Sequence, residues 1–152
     1  MNPSRLRATV VAKRIAWVNQ MMAGLRALPL DTYDTFTADP RNAAAAESYL
    51  RRALEGLLDL GRHVLAKGFG QPVSEYKEIA QALVRVGVLD EENGALLREL
   101  AGYRNRLVHF YHQVSDLDLY EICTQQLGDV ETLLTEIVAW IKVHPEMIDE
   151  AL

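Results

Sequence analysis

The sequence predicts an all-α fold, an up-and-down bundle of four to five helices. Apolar residues recur at steps of three or four along most of the chain, which is the helical period. The interruptions carry Gly, Pro or capping residues, which stop and start helices. No run alternates apolar and polar residues between turn signals, as a strand would.

Taken in order, Val10, Val11, Ile15, Val18, Met22 and Leu25 share one face of a first helix over 4–28, ended by Leu28-Pro29. Met21 and Met22 read as core filler. The stretch LDTYDTFTADPRN is rich in Asp, Thr and Pro and reads as a loop. A second helix over 41–67 carries Leu50, Leu54, Leu57, Leu58 and Leu65 before Gly68 and Gly70 stop it. Ser74 is the expected N-cap of a third helix with Ile79, Leu83 and Val86 inside, ended by Gly87. Asp90 caps a fourth helix over 91–110. Ser115 or Asp116 starts a fifth that runs unbroken to 143, ahead of Pro145. Trp17 and Trp140 fall at helical spacing and read as core or dimer contacts, and His144 as a loop residue.

The 152 residues make one domain, expected over 1–152, with 49% apolar residues to fill a core. Cys123 is the only cysteine, which excludes an intramolecular disulfide and any Cys-based zinc site. It sits on an apolar helix and reads as buried and inert. Sixteen Lys and Arg against 21 Asp and Glu leave a net charge of −5, which argues against a generic nucleic-acid coat but not against a local basic site. No signal-peptide pattern or membrane-length apolar run is present, so a cytoplasmic protein without a membrane partner is expected.

One segment carries a chemical signature. Residues 102–113 read GYRNRLVHFYHQ and crowd Arg104, Asn105, Arg106, His109, Tyr111 and His112 at the end of a helix. Asn105 and His109, four apart, share a face, and a long arginine side chain reaches it. Imidazole moves protons in the neutral range, and arginine presents a planar fork matched to phosphate oxygens. A base can draw the proton from a ribose 2′-hydroxyl while an arginine stabilises the charge that develops on phosphate. No carboxylate cluster lies near the histidines, so a metal route is less favoured and no metal site is expected. Read plainly, the same residues also suit a solvated helix end, where the dipole favours Arg and His.

The run Arg104, four residues, His109, one residue, Tyr111 resembles the R-x4-H-x-Y motif of HEPN-domain ribonuclease toxins of the HepT type. The segments ESYLRRALEGLLDLGRHVLAKGFG, PVSEYKEIAQALVRVGVLDEENGALLREL and DLDLYEICTQQLGDVETLLTEIVAWI resemble the same family in order and spacing, so the likeness covers about 8–143. It implies a metal-independent endoribonuclease without a cofactor, leaving 2′,3′-cyclic phosphate ends. Arg104 and His109 would be its catalytic pair, with Asn105 and Arg106 supporting the site or touching RNA. It implies a homodimer whose two motifs face one cleft. It also implies a minimal nucleotidyltransferase antitoxin that silences the toxin by transferring AMP onto Tyr111, where a bulky anion would compete for the arginine. Phe110 departs from the pattern, standing where a polar residue is frequent. Glu55, Asp59 and His63, four apart in turn, either reach this site and hold Arg104 or form a solvated helix face or a structural ion pair. Two rival readings stand beside the toxin: a non-catalytic nucleotide- or RNA-binding subunit that supports a nucleotidyltransferase, and a purely structural helical dimer.

Overall fold

A central helix contacts every other α-helix among the described residues. The structure, a computed structural model, describes residues 4–149; the ends of the expected domain, 1–3 and 150–152, lie outside the described residues. In chain order the elements are β1 (Leu6–Arg7), α1 (Ala8–Arg26), α2 (Tyr33–Thr37), α3 (Pro40–His63), α4 (Tyr76–Arg85), α5 (Glu91–His109), α6 (Asp116–Gln125), α7 (Leu127–Lys142) and β2 (Ile148–Asp149). The expected all-α class holds, with seven α-helices among the described residues rather than four or five. No helix among those residues is long and apolar enough to cross a membrane.

The central element is α3. Its first residue is Pro40, preset for helix, and Asp39 caps it by accepting from the Arg41 N–H at 3.0 Å. Leu50, Leu54, Leu57 and Leu58 recur along it and are fully buried. Each such leucine contributes about 2 kcal/mol by leaving water. Above His63 the chain widens into a π-helical turn, Val64–Gly68, so the expected helix to 67 ends in a looser coil.

Four boundaries differ from expectation, each for a local reason. The first helix begins at Ala8, because Leu6 and Arg7 pair in parallel with Ile148 and Asp149. The expected loop at 30–42 contains α2. Thr32 accepts from the Thr35 N–H at 3.1 Å, and Phe36 is fully buried against Tyr120. Thr and Asp there mark a cap rather than a coil. Ser74 does not cap the third helix; its carbonyl accepts from Arg62 at 2.9 Å, and α4 starts at Tyr76 without a side-chain cap. The expected fifth helix is two, because Gln126 (φ −118°, ψ 4°) leaves the helical region between α6 and α7. Gly128, a weak helix former, stands second in α7.

Asp90 caps α5 as expected, accepting from the Asn93 N–H at 2.7 Å. Ser115 and Asp118 form a reciprocal capping box on α6. Between α4 and α5 the chain turns at Gly87, whose φ of +84° favours glycine. The two helices then close tightly at Gly94, where a Cβ would meet Val84 Cγ2 at 2.2 Å. Trp140 is half-buried against the rings of Phe69 and His144, and His144 lies in the loop after α7 as expected, with its ring stacked on Trp140. Cys123 is buried, and burial pushes its thiol up to about 12.

Candidate functional site

Three elements meet at the site. The α5 helix brings Arg104, Asn105, Arg106 and His109; α4 and the loop before it bring Ser74 to Lys77; α3 brings Glu55 and Asp59 from beneath. A cleft of about 560 Å³ opens between Ser74–Lys77 and the face of α5 that carries Arg104, Asn105, Arg106 and His109, with Phe110 at its end. The sequence-predicted catalytic pair therefore lines one cavity. So do Asn105 and Arg106.

Arg104 is largely buried, its side chain 18% exposed. One terminal nitrogen lies 3.5 Å from Glu55 Oε2, and the other donates to Asn105 Oδ1 at 3.3 Å. Its Nε is buried without a partner. Its guanidinium carbon lies over the Tyr76 ring, 4.6 Å from the centroid. Glu55 also accepts from Arg51 at 2.7 Å. Asp59 accepts from Arg62 at 2.9 Å and from the Tyr76 hydroxyl at 3.1 Å. Arg62 lies over the same ring at 4.8 Å. Two guanidiniums and one carboxylate thus meet at one phenol, and Glu55 and Arg51 extend the network from Arg104. Burial, then the nearby Asp59 charge, pushes the Tyr76 hydroxyl above its ordinary value, so it stays protonated and donating.

Glu55 and Asp59 reach this group; His63 does not. Eight residues of helix turn it roughly 80° away from Glu55. His63 Nε2 instead accepts from the Arg7 backbone N–H at 3.0 Å. Burial, then the positive charges of Lys67, Arg14 and Arg7, push its imidazole below the ordinary value, so it is neutral, as an acceptor nitrogen requires. The ladder is divided because a four-residue step drifts round the helix.

The chain leaves the helix at the end of the motif. The last α5 residue is His109, Phe110 takes φ −134° and ψ 38°, and Tyr111 opens a 3₁₀ turn, Tyr111–Gln113. Phe110 is 49% exposed, its ring edge-on to His109. Tyr111 is 65% exposed and does not line the cleft. Among the described residues no group of three His, Cys, Asp or Glu side chains is placed to hold a metal ion.

Sequence reasoning did not single out Tyr76, Arg62 or Arg51. The Arg51–Glu55 and Asp59–Arg62 pairs are readable as helix spacings of four and three. Tyr76 carries no such signal, since its contacts join three different elements.

Comparison with known proteins bears on this arrangement. The family model described as ribonuclease HepT-like matches residues 19–137. No curated protein sequence matches the chain significantly. Among solved structures, the chain is similar to a tri-AMPylated Shewanella oneidensis HEPN toxin in complex with MNT antitoxin. The TM-score is 0.77 at 18% identity, over 86% of this chain and 97% of that one. It is also similar to YutE, a cytosolic protein of unknown function from Bacillus subtilis, with a TM-score of 0.70 at 20% identity, over 88% and 89% of the two chains. A toxin–antitoxin structure with AMP-PNP matches with a TM-score of 0.74 at 16% identity, over 84% and 97%. At these identities the likeness is one of fold.

Proposed function

This chain belongs to the ribonuclease HepT-like family, and on that premise we propose that it is an endoribonuclease toxin held in check by a minimal nucleotidyltransferase antitoxin. The observation that carries the reading is the cleft itself, where Arg104 and His109 face the same space with Asn105 and Arg106 beside them.

His109 acts as the proton carrier. It removes the proton of a ribose 2′-hydroxyl, and the oxygen attacks the adjacent phosphorus. The bond to the 5′-oxygen breaks, and that oxygen takes a proton as it leaves. The ends are a 2′,3′-cyclic phosphate and a 5′-hydroxyl. Arg104 places its fork against the phosphate and stabilises the charge that grows on its oxygens. Arg106 and Lys77, also on the cleft wall, add positive charge along the path of the backbone. No step uses a metal ion.

A second copy of the chain completes the site by bringing a second His109 to the same RNA, so that one imidazole gives a proton while the other takes one. The AMP acceptor is Tyr111. It stands in the open two residues past His109, where an attached nucleotide places a phosphate near the arginine. The similar Shewanella oneidensis toxin is described as tri-AMPylated and bound to MNT antitoxin, which supports this reading.

The test is direct. Purified protein is incubated with RNA in EDTA, and the new ends are analysed. Cleavage with 2′,3′-cyclic phosphate ends upholds the proposal. Intact RNA, together with a tight complex with the nucleotidyltransferase, overturns it in favour of a non-catalytic subunit.

A further inference from the structure

We propose that Tyr76 is a positioning residue for Arg104: its ring holds the guanidinium at the cleft, where an RNA phosphate can exchange for the long contacts to Glu55 and Asn105. This rests on the nuclease reading above.

Arg104 is otherwise loosely held. Its contact with Glu55 is long, 3.5 Å, its bond to Asn105 is 3.3 Å, and its Nε has no partner. Such contacts do not fix a side chain with four rotatable torsions. The ring of Tyr76, 4.6 Å from the guanidinium carbon, offers a flat and extended contact instead. The π face of the ring attracts the guanidinium charge, and hydrogen bonds to phosphate are made by its N–H groups, so the two do not exclude one another.

The ring is itself fixed. Its hydroxyl donates to Asp59, and Arg62 lies over it. Arg62 also donates to Asp59 and to the carbonyls of Val73 (3.1 Å) and Ser74 (2.9 Å), which ties the approach to α4 onto α3. Through Tyr76, the position of Arg104 is referred to the central helix rather than to α5 alone. A side chain anchored in this way loses less freedom when it meets the transition state.

The experiment compares wild type, Tyr76→Phe and Tyr76→Leu on a fluorescently labelled single-stranded RNA of mixed sequence. Each is also made with Arg104→Lys, which keeps the charge but removes the plane. Tyr76→Leu is expected to lower kcat about tenfold with KM within about twofold, because the contact serves the transition state. Tyr76→Phe keeps the ring but loses the bond to Asp59, so its kcat is expected to fall between those of wild type and Tyr76→Leu. In the Arg104→Lys background, Tyr76→Leu costs less than about twofold. An unchanged kcat in Tyr76→Leu, an equal loss in both backgrounds, or a loss in Tyr76→Phe as deep as in Tyr76→Leu would each overturn the role of the ring. If Tyr76→Leu melts early, Tyr76→Met fills the space without a flat ring and takes its place.

A second readout does not need activity. The Arg104 Nε–H resonance carries a ring-current shift in wild type and Tyr76→Phe that Tyr76→Leu abolishes. If wild type leaves RNA intact, the nuclease reading fails, and this shift decides the positioning contact alone. A shift that survives Tyr76→Leu overturns it.

Discussion

Arg104 of α5 and Glu55 of α3 stand 3.5 Å apart, nitrogen to oxygen, while the other Glu55 oxygen is held by Arg51 at 2.7 Å. The carboxylate therefore divides itself between two cations and grips Arg104 from the far end of its range. A phosphate arriving in the cleft meets an arginine already facing a competing anion. Glu55→Gln, made with His109→Ala so that RNA stays whole, is expected to bind RNA about threefold tighter at low salt, with the gain fading as salt is raised. Fluorescence anisotropy measures it; unchanged affinity would make Glu55 a structural partner only.

The proposed catalytic pair is tested by removal. His109→Ala or Arg104→Ala is expected to lower RNA cleavage by about 10²-fold or more. Expression of the wild-type chain without its antitoxin should arrest growth, and His109→Ala should relieve the arrest. Growth inhibition that survives the substitution removes His109 from the mechanism.

Tyr111 stands 65% exposed on its short turn. Incubation with a cognate minimal nucleotidyltransferase and ATP is expected to add AMP to Tyr111 and to stop cleavage. Mass spectrometry of the digested protein reads the site. AMP on Tyr111→Phe at another residue, with cleavage still blocked, would move the acceptor elsewhere.

His63 sets a pH dependence of stability. Its folded-state value lies below the ordinary 6.5, so the unfolded chain takes up a proton more readily. The stability from the neutral ring is complete above 6.5 and is lost as pH falls through the lower folded value. His63→Asn, which can still accept from the Arg7 N–H, should flatten the loss between pH 7.5 and pH 5. Urea denaturation across that range tests it, and an unchanged slope would assign the acid sensitivity to other groups.

Gly94 keeps α4 and α5 close. Gly94→Ala sets a Cβ at 2.2 Å from Val84 Cγ2, and such overpacking is expected to cost about 1–3 kcal/mol in urea denaturation. Val84→Ala removes the clashing methyl, so adding it should recover most of the loss. Failure to recover would place the strain in the backbone.

Leucine periodicity was enough to find α3 and α5, because both bury one face against the same core. It could not find the break at Gln126, since Ile122, Leu127 and Val130 keep an apolar face across it. It missed α2 because Thr32 and Asp34 are as common in loops as at caps. Within the site, Arg104, Asn105, Arg106 and His109 were visible because they are near neighbours in one helix. Tyr76 was not, because its place depends on how three elements pack. His63 was misplaced for the opposite reason: regular spacing along a helix looks like a shared face until the drift per turn is counted.

The end of α5 at His109 separates two proposed kinds of chemistry by a single residue, Phe110. Arg104 and His109 inherit the rigidity of a rod; Tyr111 belongs to a surface corner that can be reached from many directions. An enzyme acting on that corner needs no unfolding of the protein and no entry into the cleft. Under the proposed regulation, silencing is therefore an event of the fully folded molecule. The supply of active toxin then follows how quickly the corner is written on, with no folding step in between.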